Sequence, residues 1–122
     1  SRTTKQKIEQ RLMGKSALIL IAKIDDKPIA YKMGYALSET EFYSWLGGVH
    51  FKYRRLGVAK KLLVQQEKWA YEQSFTNIHV KSMNRFPQML TMLITNDYHV
   101  CGYVDNQSTE LSKIKFVKQL TK

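Results

Sequence analysis

The sequence predicts an α/β (α+β) domain built on a mixed, mostly antiparallel sheet with flanking helices. Three observations carry that prediction. Apolar segments of strand length at 16–24, 29–37 and 41–49 follow one another through short turns, which is antiparallel connectivity. A fourth, at 77–83, is reached only through a long connection holding one amphipathic helix, so it should run parallel to the third. The chain has 122 residues, enough for one core but not for a second, so residues 1–122 read as a single domain.

Each element has its own signal. Thr3 to Met13 has helix-forming composition with Ile8, Leu12 and Met13 on one face, and Gly14 is a stop. Asp25-Asp26-Lys27-Pro28 is turn chemistry between the first two strands, and Ser38-Glu39-Thr40 makes the second turn. Gly47-Gly48 inside the third strand is unusual, because glycine there marks a bulge, a close approach or a flexible strand end. From 57 to 73, Val58, Ala59, Leu62, Leu63, Trp69 and Ala70 recur at helical spacing. Residues 86–95 read as a helix with Pro87 in its first turn, and 98–104 and 111–120 as two last strands.

Composition narrows the function classes. Hydrophobic content of 43% and charged content of 25% are those of a globular protein. The single cysteine, Cys101, excludes an internal disulfide and fits a reducing, cytoplasmic setting, and no signal peptide or membrane-spanning run is read in the chain. His50, His79 and His99 lack metal-ligand spacing, so no metal is expected. The net charge of +10 attracts polyanions, with nucleic acid the commonest, yet the densest basic stretch is Lys52 to Lys61.

That stretch joins the third strand to the long helix. A strand that delivers a loop to a helix N-terminus gathers unpaired backbone N–H groups where the helix dipole favours negative charge, which is a phosphate site. Gly57 allows close approach, Ala59 keeps the next position small, and Arg54 and Arg55 add charge. A basic loop that merely contains a glycine fits the spacing equally well.

At these residues the chain resembles the GNAT superfamily of N-acetyltransferases. Val49, Tyr53, Arg54, Gly57, Val58 and Ala59 fill the acyl-CoA signature in register, including its core Arg54-x-x-Gly57-x-Ala59. Phe51 stands where proline is usual and Arg55 where glycine is usual. The resemblance extends from about Ser16 to the C-terminus and implies a GNAT-like sheet whose third and fourth strands splay apart around the pantetheine arm, with the N-terminal elements shortened. It implies acetyl-CoA as co-substrate, held by Val49, Phe51, Arg54, Arg55, Leu56, Gly57, Val58, Ala59 and Lys60. Asn84, directly after the fourth strand, stands where the family often has a cofactor-binding asparagine.

The implied reaction is direct attack of an amine on the thioester. Glu41, Tyr43, His50 and His79 are candidates for removing the amine proton, and no spacing selects among them. The tyrosine that GNAT enzymes often use to protonate the CoA sulfur is replaced by Leu93, beside Met92, and Tyr98 or Tyr103 are the alternative hydroxyls. Two function classes follow. One is an acetyl-CoA-dependent N-acetyltransferase acting on a small-molecule or peptide amine, with no membrane partner and homodimerisation within the family's range. The other is a non-catalytic module of the same fold that binds CoA or a polyanion such as nucleic acid. The in-register signature favours the first; the lost tyrosine and the charge favour the second.

Overall fold

The computed structural model describes residues 2–121, with side chains from Gln6 onward. Its elements are α1 (Arg2–Leu12), β1 (Ala17–Ile24), β2 (Lys27–Ala36), β3 (Glu41–Val49), α2 (Val58–Glu72), β4 (Asn77–Met83), α3 (Pro87–Thr95), β5 (His99–Val104) and β6 (Lys113–Gln119), with a short 3-10 turn at Phe51–Tyr53 between β3 and α2. The strands form one sheet in the order β1-β2-β3-β4-β6-β5. All pairs are antiparallel except β3 and β4. The expected strands and helices are present, with ends displaced by a few residues.

Successive side chains of a strand point to opposite faces, and this alternation sorts the sheet into two sides. On one, α2 packs across β1, β2 and β3 while α3 packs on β4. Phe42, Leu63, Ala70, Ile78, Leu93 and Phe116 are buried there, and the Phe42 ring meets Trp69 edge-on at 5.4 Å. Each of the larger side chains contributes about 1.5–3 kcal/mol by leaving water. On the other side Arg11 of α1 donates to the Tyr35 hydroxyl at 3.0 Å and covers the Trp45 ring at 5.0 Å.

A smaller cluster matters more for function. Ile29, Ala30 and Leu62 are buried together, with Val49, Tyr53 and Val58 packed on them. The loop between β3 and α2 is therefore pinned at both ends and at its middle tyrosine. Arg54 closes it by donating from Nε to the Val49 carbonyl at 3.1 Å.

Between β2 and β3 the register shifts at Met33/Gly34, where Gly34 pairs with Ser44 and Met33 with Leu46, so Trp45 is the extra residue. The irregularity thus falls two residues before the glycine pair. Gly34 lies at the break for a steric reason: a Cβ there would collide with the Phe42 ring and the Tyr43 carbonyl. Gly34→Ala is accordingly expected to destabilise the fold by about 1–3 kcal/mol through overpacking, read as a lowered denaturation midpoint in urea.

Candidate active site

β3 and β4 pair for only four residues, Glu41–Ser44 against Asn77–Val80. Beyond them β3 stays with β2 as far as Val49, while β4 stays with β6 as far as Met83. The two strands part, and the inner edges of 45–49 and 81–83 have no ladder partner. A cavity of about 1370 Å³ runs through this gap to the start of α2.

At its α2 end the cavity is lined by Arg54, Arg55, Gly57, Val58, Ala59 and Lys60. Gly57 is the residue before the helix, in a left-handed conformation with φ 77°, and no side chain caps the helix. No acidic residue occupies its first turn, and a Cβ on Gly57 would have open space around it. Uncapped N–H groups, the helix dipole and three cations thus converge on one open point. Arg55 is also left-handed, at φ 67°. It keeps the glycine-like backbone at the place where the signature has glycine, at a cost of about 1–2 kcal/mol.

Other residues singled out from the sequence lie elsewhere. Val49 lines the cavity, but Phe51 and Leu56 do not and are largely exposed, at 68% and 63%. Phe51 stacks on His50, whose Nδ1 accepts from the Lys52 N–H. Asn84 is not in the cavity either. Its Nδ2 donates to the Thr109 carbonyl at 2.9 Å, tying the end of β4 to the β5–β6 loop.

The structure also separates the catalytic candidates. Tyr43 reaches the cavity beside His79, its register partner on β4. Burial first, then the neighbouring Tyr35, raises the Tyr43 pKa, with Arg11 opposing. It therefore holds its proton at neutral pH and is unsuited to act as a base. Glu41 does not line the cavity; its Oε2 lies 3.5 Å from His79 Nε2. No spacing in the sequence sets His79 apart from its neighbours; only the parallel pairing reveals that it stands at the gap.

Tyr98 does not line the cavity. It is 2% exposed, part of the main core, and its hydroxyl donates to Glu67 Oε2 at 2.8 Å while Lys118 donates to Oε1 at 3.0 Å. Burial, the Glu67 charge and that hydrogen bond push its pKa far above the ordinary phenol value. A hydroxyl so engaged gives no proton to a thiolate. On α3, Leu93 is fully buried and Met89 and Met92 face the cavity, so the helix offers no acid there.

Two buried polar groups went unread in the sequence. Ser44 lines the cavity, and its buried Oγ has no hydrogen-bond partner. Lys32, in the middle of β2, is 7% exposed and lines the same cavity. It lies across Gly47, its partner on β3, with Nζ 3.6 Å from where a Cβ on that glycine would stand. Among the described residues no carboxylate is within ion-pair distance of it. Burial lowers its pKa to about 8, partly opposed by the charge of Glu67. A lysine inside an apolar-looking strand was the available signal.

Two expectations follow. Because the folded pKa of Lys32 lies below the unfolded 10.5, the unfolded chain binds the extra proton between those values. This group therefore lowers stability most below pH 8, and the loss is recovered as pH rises through that window. Lys32→Met is expected to raise the unfolding free energy at neutral pH by up to about 3 kcal/mol and to lose most of that gain near pH ~10, checked by urea unfolding at both values. Tyr98→Phe should cost about 1.5–3 kcal/mol of stability, from losing a hydrogen bond to a charged group, while leaving the alkaline limb of any pH–rate profile where it was.

Comparisons with known proteins agree with the geometry. A model of the acetyltransferase (GNAT) family matches residues 2–87. No curated protein matches. Among solved structures, Ard1 from Thermoplasma volcanium superposes with a TM-score of 0.85 at 11% identity, covering 100% of this chain and 81% of that one. A GNAT family acetyltransferase from Elizabethkingia anophelis with acetyl-CoA bound gives 0.82 at 15%, covering 95% and 83%. An acetyltransferase from Bacillus cereus gives 0.77 at 20%, covering 98% and 90%. At these identities the superpositions speak to the fold, whereas the family match spans well over half of the sequence, and the chain belongs to the GNAT acetyltransferase family.

Proposed function

We propose that the protein is an acetyl-CoA-dependent N-acetyltransferase that moves an acetyl group to a primary amine by direct attack on the thioester. One observation carries the reading: the uncapped, acid-free start of α2 opens onto a cavity that continues into the gap between β3 and β4. An anion at one end and an extended arm along two unpaired strand edges are what such a shape accommodates. The orphaned Ser44 hydroxyl and the open space over Gly57 fit a long polar co-substrate. The similar structure from Elizabethkingia anophelis holds acetyl-CoA, which supports the same assignment.

Acetyl-CoA supplies the activated acyl group; the chain supplies position and proton handling. Arg54, Arg55, Lys60 and the first N–H groups of α2 hold the phosphates. The free backbone N–H groups of 45–49 serve the developing oxyanion, a task that needs geometry rather than a special side chain. His79 takes the amine proton, and Glu41, whose Oε2 lies 3.5 Å from Nε2 without a hydrogen bond, supplies a negative charge beside the imidazole. With no acid on α3, the thiolate departs unprotonated, as a thiol of pKa ~8.5 permits.

The acceptor side favours amines that also carry an anionic group. Among the described residues no aspartate or glutamate lines the cavity. On the face away from α2, Lys81 stands directly opposite Lys115, a like-charge cross-strand pair that is unfavourable unless an anion bridges it. Tyr35, Tyr43 and Trp45 form an aromatic wall beside it, with Lys81 Nζ 5.6 Å from the Tyr43 ring. We place the reaction in the cytoplasm, where acetyl-CoA and an exposed reduced Cys101 coexist.

Mass spectrometry of an amine library incubated with acetyl-CoA tests the reading. Acetylated products should be richest among amines bearing a carboxylate or phosphate and poorest among polyamines. Gly57→Glu should weaken CoA binding tenfold or more, about 1.4 kcal/mol, by placing a charged side chain at a left-handed position facing the phosphates. Binding without transfer to any amine would leave the non-catalytic module standing, and unchanged CoA affinity in Gly57→Glu would remove the α2 site altogether.

A further inference from the structure

We propose that Lys32 is a self-acetylation site, its amine receiving the acetyl group from acetyl-CoA held in the same cavity. The proposal rests on the reading above that this cavity holds acetyl-CoA.

Lysine is almost never buried without a partner, because an ammonium loses its hydration there. Lys32 is buried and has no such partner: Glu67, the acid whose charge it feels, already accepts from both Tyr98 and Lys118. A methionine would fill the same strand position without that cost, so the amine has no structural return. Its placement is specific. Lys32 and Gly47 are register partners, both line the cavity, and the missing side chain at Gly47 lets the lysine lie across β3 toward the edge that β4 has left. A Cβ at 47 would stand 3.6 Å from Nζ, in ordinary van der Waals contact, so the glycine leaves room around the amine without being required by a clash.

Burial also makes the amine nucleophilic. With a pKa of about 8, a fraction on the order of 10² larger than that of an exposed lysine is neutral at neutral pH. The step balances without a further reactant. The neutral Nζ attacks the thioester carbonyl carbon, a C–N bond forms and the C–S bond breaks. CoA leaves as its thiolate, and the nitrogen gives one proton to solvent or to that thiolate. The product is an uncharged acetamide lying over Gly47. It removes a cation from the cavity and takes up space there, so a modified molecule binds CoA less well and the reaction limits itself.

The test incubates the protein with acetyl-CoA and no added amine, follows intact mass and maps acetylated peptides. It uses wild type, Lys32→Arg, Lys32→Met, Gly57→Glu and urea-unfolded wild type, with circular dichroism to verify folding of the variants. The expected result is one acetyl group on Lys32, added about tenfold or more faster than on the exposed Lys61. It should be absent from both Lys32 variants, slowed in Gly57→Glu, and without preference for position 32 in the unfolded chain. Calorimetry should show weaker CoA binding by the acetylated protein. Calorimetric binding of acetyl-CoA with Lys32 labelled no faster than Lys61 would overturn the self-acetylation and leave the enzyme reading intact. Equal labelling of Lys32 in Gly57→Glu would also overturn it, by showing plain chemical acetylation of a reactive amine. Absence of both binding and labelling would remove the acetyl-CoA reading itself.

Discussion

Everything at the site depends on where β3 and β4 stop pairing. Four residues of parallel ladder, anchored by Phe42 and Ile78 in the core, hold the two strands together, and then each follows its outer neighbour. β4 is bound to β6 along its whole length, and β3 to β2 up to Val49. Neither strand can close the gap without leaving its partner. The extra residue at Trp45 helps to part them, since a bulge bends its strand and increases its twist. Backbone donors and acceptors on the inner edges are left for a ligand, because buried polar groups that are not paired must be satisfied by something else.

The same region concentrates the molecule's electrostatic tension. α2 begins without a cap and without an acid, Arg55 holds a strained backbone angle, Lys32 is buried unpaired and Lys81 faces Lys115. Each is unfavourable for folding alone, and the uncapped helix start, the buried cation and the like-charge pair would be eased by a negatively charged or acylating ligand. By contrast, Glu67, away from the cavity, is fully engaged: it joins α2 to Tyr98 and to β6 through two short hydrogen bonds. Strain that gathers around one cavity is what a binding site costs a small domain.

Tyr98 and Asn84 show why a motif does not transfer side chain by side chain. Both occupy places where a family pattern invites a functional role, and both are spent on holding the fold, one against Glu67 and one against Thr109. Phe51 and Leu56 lie inside the signature yet turn outward, because Tyr53 and Val58 anchor this loop below and leave 51–52 and 54–57 to solvent. The parts of the signature that face the cavity are Val49, Tyr53, the two arginines Arg54 and Arg55, and the helix start Gly57 to Lys60.

The sequence by itself determined the element order, the antiparallel turns, the parallel crossover and the basic loop at a helix start, because these rest on local periodicity and turn chemistry within short windows. It also determined the absence of a hydroxyl at Leu93. Only the tertiary structure decided which side chains meet. The juxtaposition of Tyr43 with His79 depends on pairing strands separated by the whole of α2, and the burial of Lys32 depends on α2 closing over β2 and β3. The placement of the bulge at Trp45, ahead of the glycine pair, depends on how Gly34 accommodates the Phe42 ring. Each is a contact between residues distant in the chain, and a pattern with a period of two or 3.6 residues carries no information about its partner.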